Sequence, residues 1–148
     1  MLYTVGEMAK LLGVPTSTLR YYDKEGLLPF VERSEGGQRI FKEEDISWLR
    51  VIECMKKTGM PLKDIKLFIE MIMEGDHTIP ERLEIIKKQR DAVRRQLEDV
   101  QNTLDVIEFK CWYYEKANEA GSTSVPKEMP DDELPPRFAE IRRKLQQK

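Results

Sequence analysis

The residues best equipped for chemistry cluster in one run, TSTLRYY, from Thr16 to Tyr22. Thr16, Ser17 and Thr18 bring hydroxyls to the start of a short helix, whose free N–H groups suit phosphate oxygens. Arg20 has the fork geometry to pair with a guanine edge or clamp a phosphate, and Tyr21 stands on or near the same exposed side. An ordinary polar helix face, with Tyr22 in the core, describes these residues equally well. Arg33 and Arg39 stand astride the turn Ser34-Glu35-Gly36-Gly37. That is the shape of a wing gripping nucleic-acid backbone, or of a plain solvated hairpin.

Catalytic constellations are missing. The one histidine, His77, lies in a polar stretch, and no glycine-rich phosphate loop follows a strand. No Cys or His lies at metal spacing from Cys54 or Cys111, so the sequence predicts no enzyme, no metal site and no cofactor. Cys54 has Arg50, Lys57 and Thr58 as helical neighbours at i−4, i+3 and i+4. The two cations favour the nucleophilic thiolate, and Lys56 is two residues away. The other reading of Cys54 is a small buried residue. Cys111 reads as packing.

Composition narrows the class. The 148 residues fit one domain, or one small domain with an appendage. Lys and Arg number 25 against 27 Asp and Glu, a net of −2. Residues 1–60 carry nine of each sign. Bulk charge therefore announces no nucleic acid, and the claim rests on where individual residues point. No apolar run approaches the ~20 residues of a membrane span. The start MLYTVGEMAK shows no export signal, so the expectation is a cytoplasmic chain with reduced thiols.

The elements that must position these groups read as follows. Thr4 and Glu7 form a capping box ahead of Val5, Met8, Ala9 and Leu12, and Gly13 ends that helix. Thr16 or Ser17 caps a second helix to Glu25, with Leu19 and Tyr22 on one face; a four-residue link joins the two. Residues 27–41 form a hairpin around the glycine turn at Gly37. Helical period returns over 42–58 and, after Pro61, through Leu62, Ile65, Phe68, Ile69 and Ile72. From Pro80 a row recurs at alternating steps of three and four: Leu83, Ile86, Arg90, Val93, Leu97, Val100, Leu104, Ile107, Cys111 and Tyr114. This is a heptad seam on a helix about 60 Å long. Nothing else in the chain is long enough to cover it, which predicts a partner chain. A parallel coil, an antiparallel coil and a fold back onto the chain's own head all stay open. From 120 onward Gly, Ser, Thr and four prolines read as an extended, mobile tail. Phe138, Ile141 and Leu145 are spaced for a last amphipathic turn or two.

From Tyr3 to Ile72 the chain resembles the MerR family of transcription regulators. The motifs are YTVGEMAKLLGVPTSTLRYYDKEGLL, EGGQRIF and EEDISWLRVIECMKKTGMPLKDIK. The resemblance implies a mainly α fold. A winged helix-turn-helix head of four helices plus a hairpin wing (1–75) precedes a dimerisation helix (80–119) in an antiparallel coiled coil and a tail (120–148). It implies a homodimer that binds a pseudo-palindromic, over-long promoter spacer and bends and untwists it, so that RNA polymerase engages both promoter elements. By position, Arg20 would enter the major groove, and Tyr21 and Tyr22 would touch backbone near the distorted centre. Thr16, Ser17 and Thr18 would meet phosphate, Arg33, Gly37 and Arg39 would act from the wing, and Lys56 would hold phosphate. Gln38 departs from the aromatic usual before the wing arginine. Leu83, Ile86, Val93, Leu97, Val100, Leu104, Ile107 and Cys111 would line the dimer interface.

The segments VIECMKKTGMPL and EGDHTIPERLEII further resemble the NmlR/AdhR-like branch, which responds to aldehydes and other electrophiles. That implies Cys54 as the sensor. The rivals are a non-covalent small apolar effector, and a coiled-coil protein-interaction module for which DNA is incidental.

Overall fold

In the computed structural model, which describes residues 1–147, the chain divides into two compact units, residues 1–91 and the residues from Ala92 onward. The first unit opens with strand β1 (Leu2–Tyr3) and helix α1 (Val5–Leu12). Thr4 and Glu7 make the expected capping box: the Thr4 side chain accepts the Glu7 N–H, and Glu7 accepts the Thr4 N–H at 2.8 Å. Gly13, at φ 70°, supplies the left-handed residue that ends α1.

Helix α2 (Thr16–Lys24) starts from Pro15, with no side-chain cap. This corrects the expectation that Thr16 or Ser17 caps it. Proline's fixed φ already suits a helix entrance, so the hydroxyls stay uncommitted to that task. Two short strands follow, β2 (Glu32–Arg33) and β3 (Arg39–Lys42). They pair antiparallel with Arg33 opposite Arg39, and β3 also pairs with β1 through Tyr3 opposite Phe41. The sheet order is therefore β1-β3-β2. Two residues are too few to show a period, so β1 left no trace in the sequence pattern.

Helices α3 (Asp45–Lys57) and α4 (Leu62–Glu74) complete the head. Asp45 is buried and accepts the Lys42 N–H at 2.7 Å. Burial pushes its carboxyl above the ordinary aspartate range, against the pull of that hydrogen bond. The core joins Met8 and Ala9 of α1, Leu19 and Tyr22 of α2, Leu27, Leu28 and Phe41, Leu49, Ile52 and Met55 of α3, and Ile65, Phe68 and Ile69 of α4. Leu62 and Ile72 are partly buried against it, as is Ile85 from the start of α5 (Ile79–Ala120). Gln89 of α5 donates to the Thr58 hydroxyl at 2.5 Å.

The second unit holds the remainder of α5, then α6 (Ser124–Glu128), a single 3-10 turn at Asp131–Glu133, and α7 (Pro136–Gln146). The expected extended tail is corrected: these residues fold onto α5. Phe109 is 3% exposed, with the rings of Trp112, Tyr113 and Phe138 centred 6.3, 6.3 and 5.9 Å away. Leu134 and Ala139 are buried beside it. Arg137 donates to Asp105 at 2.8 Å and pairs with Glu108. The prolines start helices rather than forbid them: Pro135 precedes α7, Pro136 is its first residue, and Pro126 is buried in α6. Proline has no N–H to lose at a first helical turn.

Among the described residues, no helix is long and apolar enough to cross a membrane, and no group of His, Cys, Asp or Glu is arranged to hold a metal ion.

Removing the Phe109 ring leaves a cavity where four side chains meet. Phe109→Ala is expected to destabilise this unit by about 3–5 kcal/mol. Amide hydrogen exchange across 124–146 should rise sharply, and protection equal to the parent chain would contradict this packing.

Candidate nucleic-acid interface

The candidate surface is built on α2. Leu19 and Tyr22 are fully buried and anchor the helix to the core. The opposite side then carries Ser17, Arg20, Tyr21 and Lys24, all exposed, with Thr16 and Thr18 half-buried at the flanks. This is the geometry of a helix offered outward by its neighbours, as a groove reader must be.

Tyr22 takes one of its two expected places. The backbone contact that the resemblance implies does not fit it, while the core position on the face of Leu19 does: its ring is 0% exposed, and its hydroxyl donates to Glu53 of α3. Burial first, and then the bond to Glu53, push its phenol well above the ordinary tyrosine range. Tyr22 is therefore a locked structural donor, and Tyr21, its exposed neighbour, keeps the outward position. The Lys56 ammonium lies 5.0 Å from the Tyr22 ring centre and 5.9 Å from that of Tyr21, so α3 adds a cation to the α2 surface.

The wing is tied to α2. Arg39 donates to Asp23 from Nε at 2.7 Å and pairs with it through Nη2 at 2.6 Å, and Arg33 donates to the same carboxylate at 2.8 Å. Arg33 also donates to the Gly37 carbonyl at 2.9 Å, across the turn where Gly37 takes φ 78°. The structure thus brings Arg33, Gly37 and Arg39 together beside α2, with much of Arg39 sheltered.

The sequence reading assigned no role to Asp23 or Glu53. Asp23 was visible as the acid ending RYYD. Glu53 lies 31 positions from Tyr22, and nothing local signals the bond.

Cys54 is exposed, which sets aside the alternative of a small buried residue. It lines an open groove of about 590 Å³ whose walls are Leu11, Leu12, Gly13 and Val14 on one side and Arg50, Glu53, Lys57 and Thr58 on the other. Cys111, read as packing, is also exposed in the single chain. So are Leu83, Ile86, Leu97, Val100, Leu104 and Ile107 of the α5 row, while Val93 is half-buried.

Residues 3–72 match the model of the MerR HTH family regulatory protein, and residues 46–108 match that of the MerR DNA-binding segment. The chain is 46% identical over 125 residues to an uncharacterised HTH-type transcriptional regulator of Haemophilus influenzae, covering 84% of this chain and 93% of the relative. This chain belongs to the MerR family. It is a DNA-binding transcriptional regulator, as its relatives are, and not an enzyme. It is also 35% identical over 89 residues to the HTH-type transcriptional regulator AdhR of Bacillus subtilis, covering 60% of this chain and 64% of AdhR. Among solved structures it resembles HiNmlR, a MerR family regulator lacking the sensor domain and bound to promoter DNA. That match has a TM-score of 0.77 at 45% identity over 84% of this chain and 99% of HiNmlR. A MerR family regulator from Bacillus thuringiensis matches with a TM-score of 0.70 at 46% identity, over 75% and 97% of the two chains. These likenesses support the NmlR/AdhR-like branch of the MerR family.

The locked phenol has an optical signature. Tyrosines at the surface ionise near pH 10. Tyr22 is expected to stay protonated beyond that, releasing its proton only with unfolding. Because the native state holds this proton more tightly than the unfolded chain, stability is full below about pH 10 and falls as pH rises above it. Absorbance titration followed beside circular dichroism checks this. Five tyrosines ionising together in the folded chain would refute it.

Proposed function

We propose that two copies of this chain pair antiparallel through α5 and present two α2-and-wing modules to a pseudo-palindromic promoter spacer. Bending and untwisting that spacer aligns the promoter for RNA polymerase. The observation that carries the pairing is the exposed row Leu83, Ile86, Leu97, Val100, Leu104 and Ile107 on α5. Fully burying each such side chain is worth about 1.5–3 kcal/mol, and a second α5 is an occupant of matching length and chemistry. The row has its own reversal symmetry: its steps read three, four, three in either direction. Run antiparallel over its full length, Leu83 faces Tyr114, Ile86 faces Cys111, Arg90 faces Ile107, Val93 faces Leu104 and Leu97 faces Val100. Promoter DNA as the target is supported by the likeness to HiNmlR, which was solved on promoter DNA.

We further infer that the effector is a reactive aldehyde or similar electrophile taken up at Cys54. The exposure of the thiol between Arg50 and Lys57 supports this. Addition of the thiolate to a carbonyl carbon forms a C–S bond, and the carbonyl oxygen takes up a proton, so no oxidant is needed. A bulky group there would press on the neighbouring Glu53, which holds Tyr22 of α2. A second reading has one observation in its favour. A largely apolar groove of about 280 Å³ lined by Trp48, Phe68, Ile72, Ile79, Leu83 and Ile86, with Arg82 the one charged side chain in its wall, suits a non-covalent, mainly apolar effector.

The pairing is tested by disulfide cross-linking in a Cys54→Ser, Cys111→Ser background. Val93→Cys and Leu104→Cys together should give covalent dimers, and neither alone should. Efficient cross-linking of Val93→Cys with itself would mean a parallel coil. For DNA and effector, fluorescence anisotropy on a spacer-containing duplex should show affinity falling steeply with salt, and Arg20→Ala weakening it by about 1–3 kcal/mol. A flat salt response would favour a protein-interaction module. Intact mass after aldehyde treatment should show one adduct, absent in Cys54→Ser; unmodified protein that still responds to the aldehyde would favour the apolar groove.

A further inference from the structure

Asp23 sits in the last turn of α2, on the side that carries the DNA-reading residues. An acid there opposes phosphate, so its presence needs a cause. Its Oδ2 accepts two N–H donors from two guanidinium groups, Arg33 Nη2 at 2.8 Å and Arg39 Nε at 2.7 Å, and pairs with Arg39 Nη2 at 2.6 Å.

We propose that Asp23 is the positioning residue of the DNA-binding head: its carboxylate holds the outer strand of the wing against α2, so that reader and wing meet the duplex at a fixed spacing. The inference rests on DNA binding by α2 and the wing. Arg33 and Arg39 are direct cross-strand partners. Like charges in that arrangement repel, and a carboxylate shared between them removes the repulsion. The β2–β3 ladder is two residue pairs long, and a hairpin of that size has little stability of its own. Strand β3 is secured on its other edge by β1, but among the described residues β2 has no second neighbour. Arg33 is the β2 residue that Asp23 catches, and its second guanidinium nitrogen secures the turn through the Gly37 carbonyl at 2.9 Å. Side-chain exposures of 19% for Asp23 and 21% for Arg39 shelter the inner half of the contact from solvent.

The opposite role for an acid at this place is a phosphate mimic, which occupies the arginines in the free protein and releases them to DNA. The two roles predict opposite signs. Removing the charge of a mimic, or simply of an acid near phosphate, tightens binding. Removing the clamp loosens specific binding, because the wing no longer arrives in register.

The test uses the full-length protein and two probes: a duplex selected by the parent protein from a randomised pool, and a scrambled duplex of equal length. Asp23→Asn should weaken binding to the selected duplex about tenfold, equivalent to about 1.4 kcal/mol. It should leave the scrambled duplex unchanged or bound more tightly, so the specificity ratio falls although a negative charge has been removed. Asp23→Glu keeps the carboxylate and should recover most of that ratio. Amide exchange over 32–38 in the free protein should rise in Asp23→Asn and not in Asp23→Glu, while α1 and α3 stay protected. Asp23→Ser supplies the same comparison if the asparagine variant fails to fold. Equal or tighter binding of the selected duplex by the variant lacking the carboxylate, or a glutamate no better than that variant, overturns the proposal.

Discussion

The rotation of α2 about its own axis is fixed by two side chains, Leu19 and Tyr22, both wholly inside the core. Successive residues on a helix turn by about 100°, so burying these two decides where every other residue of α2 points. Arg20 and Tyr21 cannot be withdrawn without expelling Leu19 and Tyr22. The hydrogen bond from Tyr22 to Glu53 adds a direction to the anchor, because it ties α2 to α3 at one point. The exposed face of α2 is thus a by-product of packing. The polar residues face outward because the apolar ones have been taken inward.

Bulk charge says little here, and the structure explains why. Several acids of the head are already engaged within it. Glu7 closes the α1 cap, Asp23 sits under two arginines, Asp45 is buried at the start of α3, Glu53 takes the Tyr22 hydroxyl, and Glu32 pairs with Lys42 at 2.5 Å. Arg20 and Lys24 remain exposed on the outer face of α2. A region whose net charge is zero can therefore still expose Arg20 and Lys24 on one face, since burial and pairing act on positions rather than totals.

Much of the fold is legible from the chain. The Thr4–Glu7 box, the stop at Gly13, the glycine turn of the wing and the heptad row all have local chemical causes, and local causes leave local patterns. The tail is not legible in that way. Its prolines have the same composition whether they start helices or extend a linker, and what decides is Phe109, Trp112 and Tyr113 on α5 offering cover. The candidate site divides similarly. Arg20, Tyr21 and the inward Tyr22 follow from helical period once Leu19 is inside. The residue type of Tyr22 could not settle its role, because a tyrosine suits both a phosphate contact and a half-polar core. Asp23 and Glu53 act across the fold, and no spacing in the sequence records their partners.

Lys56 differs from the wing arginines in what holds it. Its ammonium rests over two aromatic rings, an attraction worth about 0.5–1 kcal/mol at an exposed site. Arg39, by contrast, is held in a sheltered ion pair. A charge kept over ring faces is aimed in advance yet lightly restrained, whereas a guanidinium in a sheltered ion pair moves only if that pair opens. The two cations therefore differ in mobility by construction: one is free to swing over a bed of rings, the other is pinned in place.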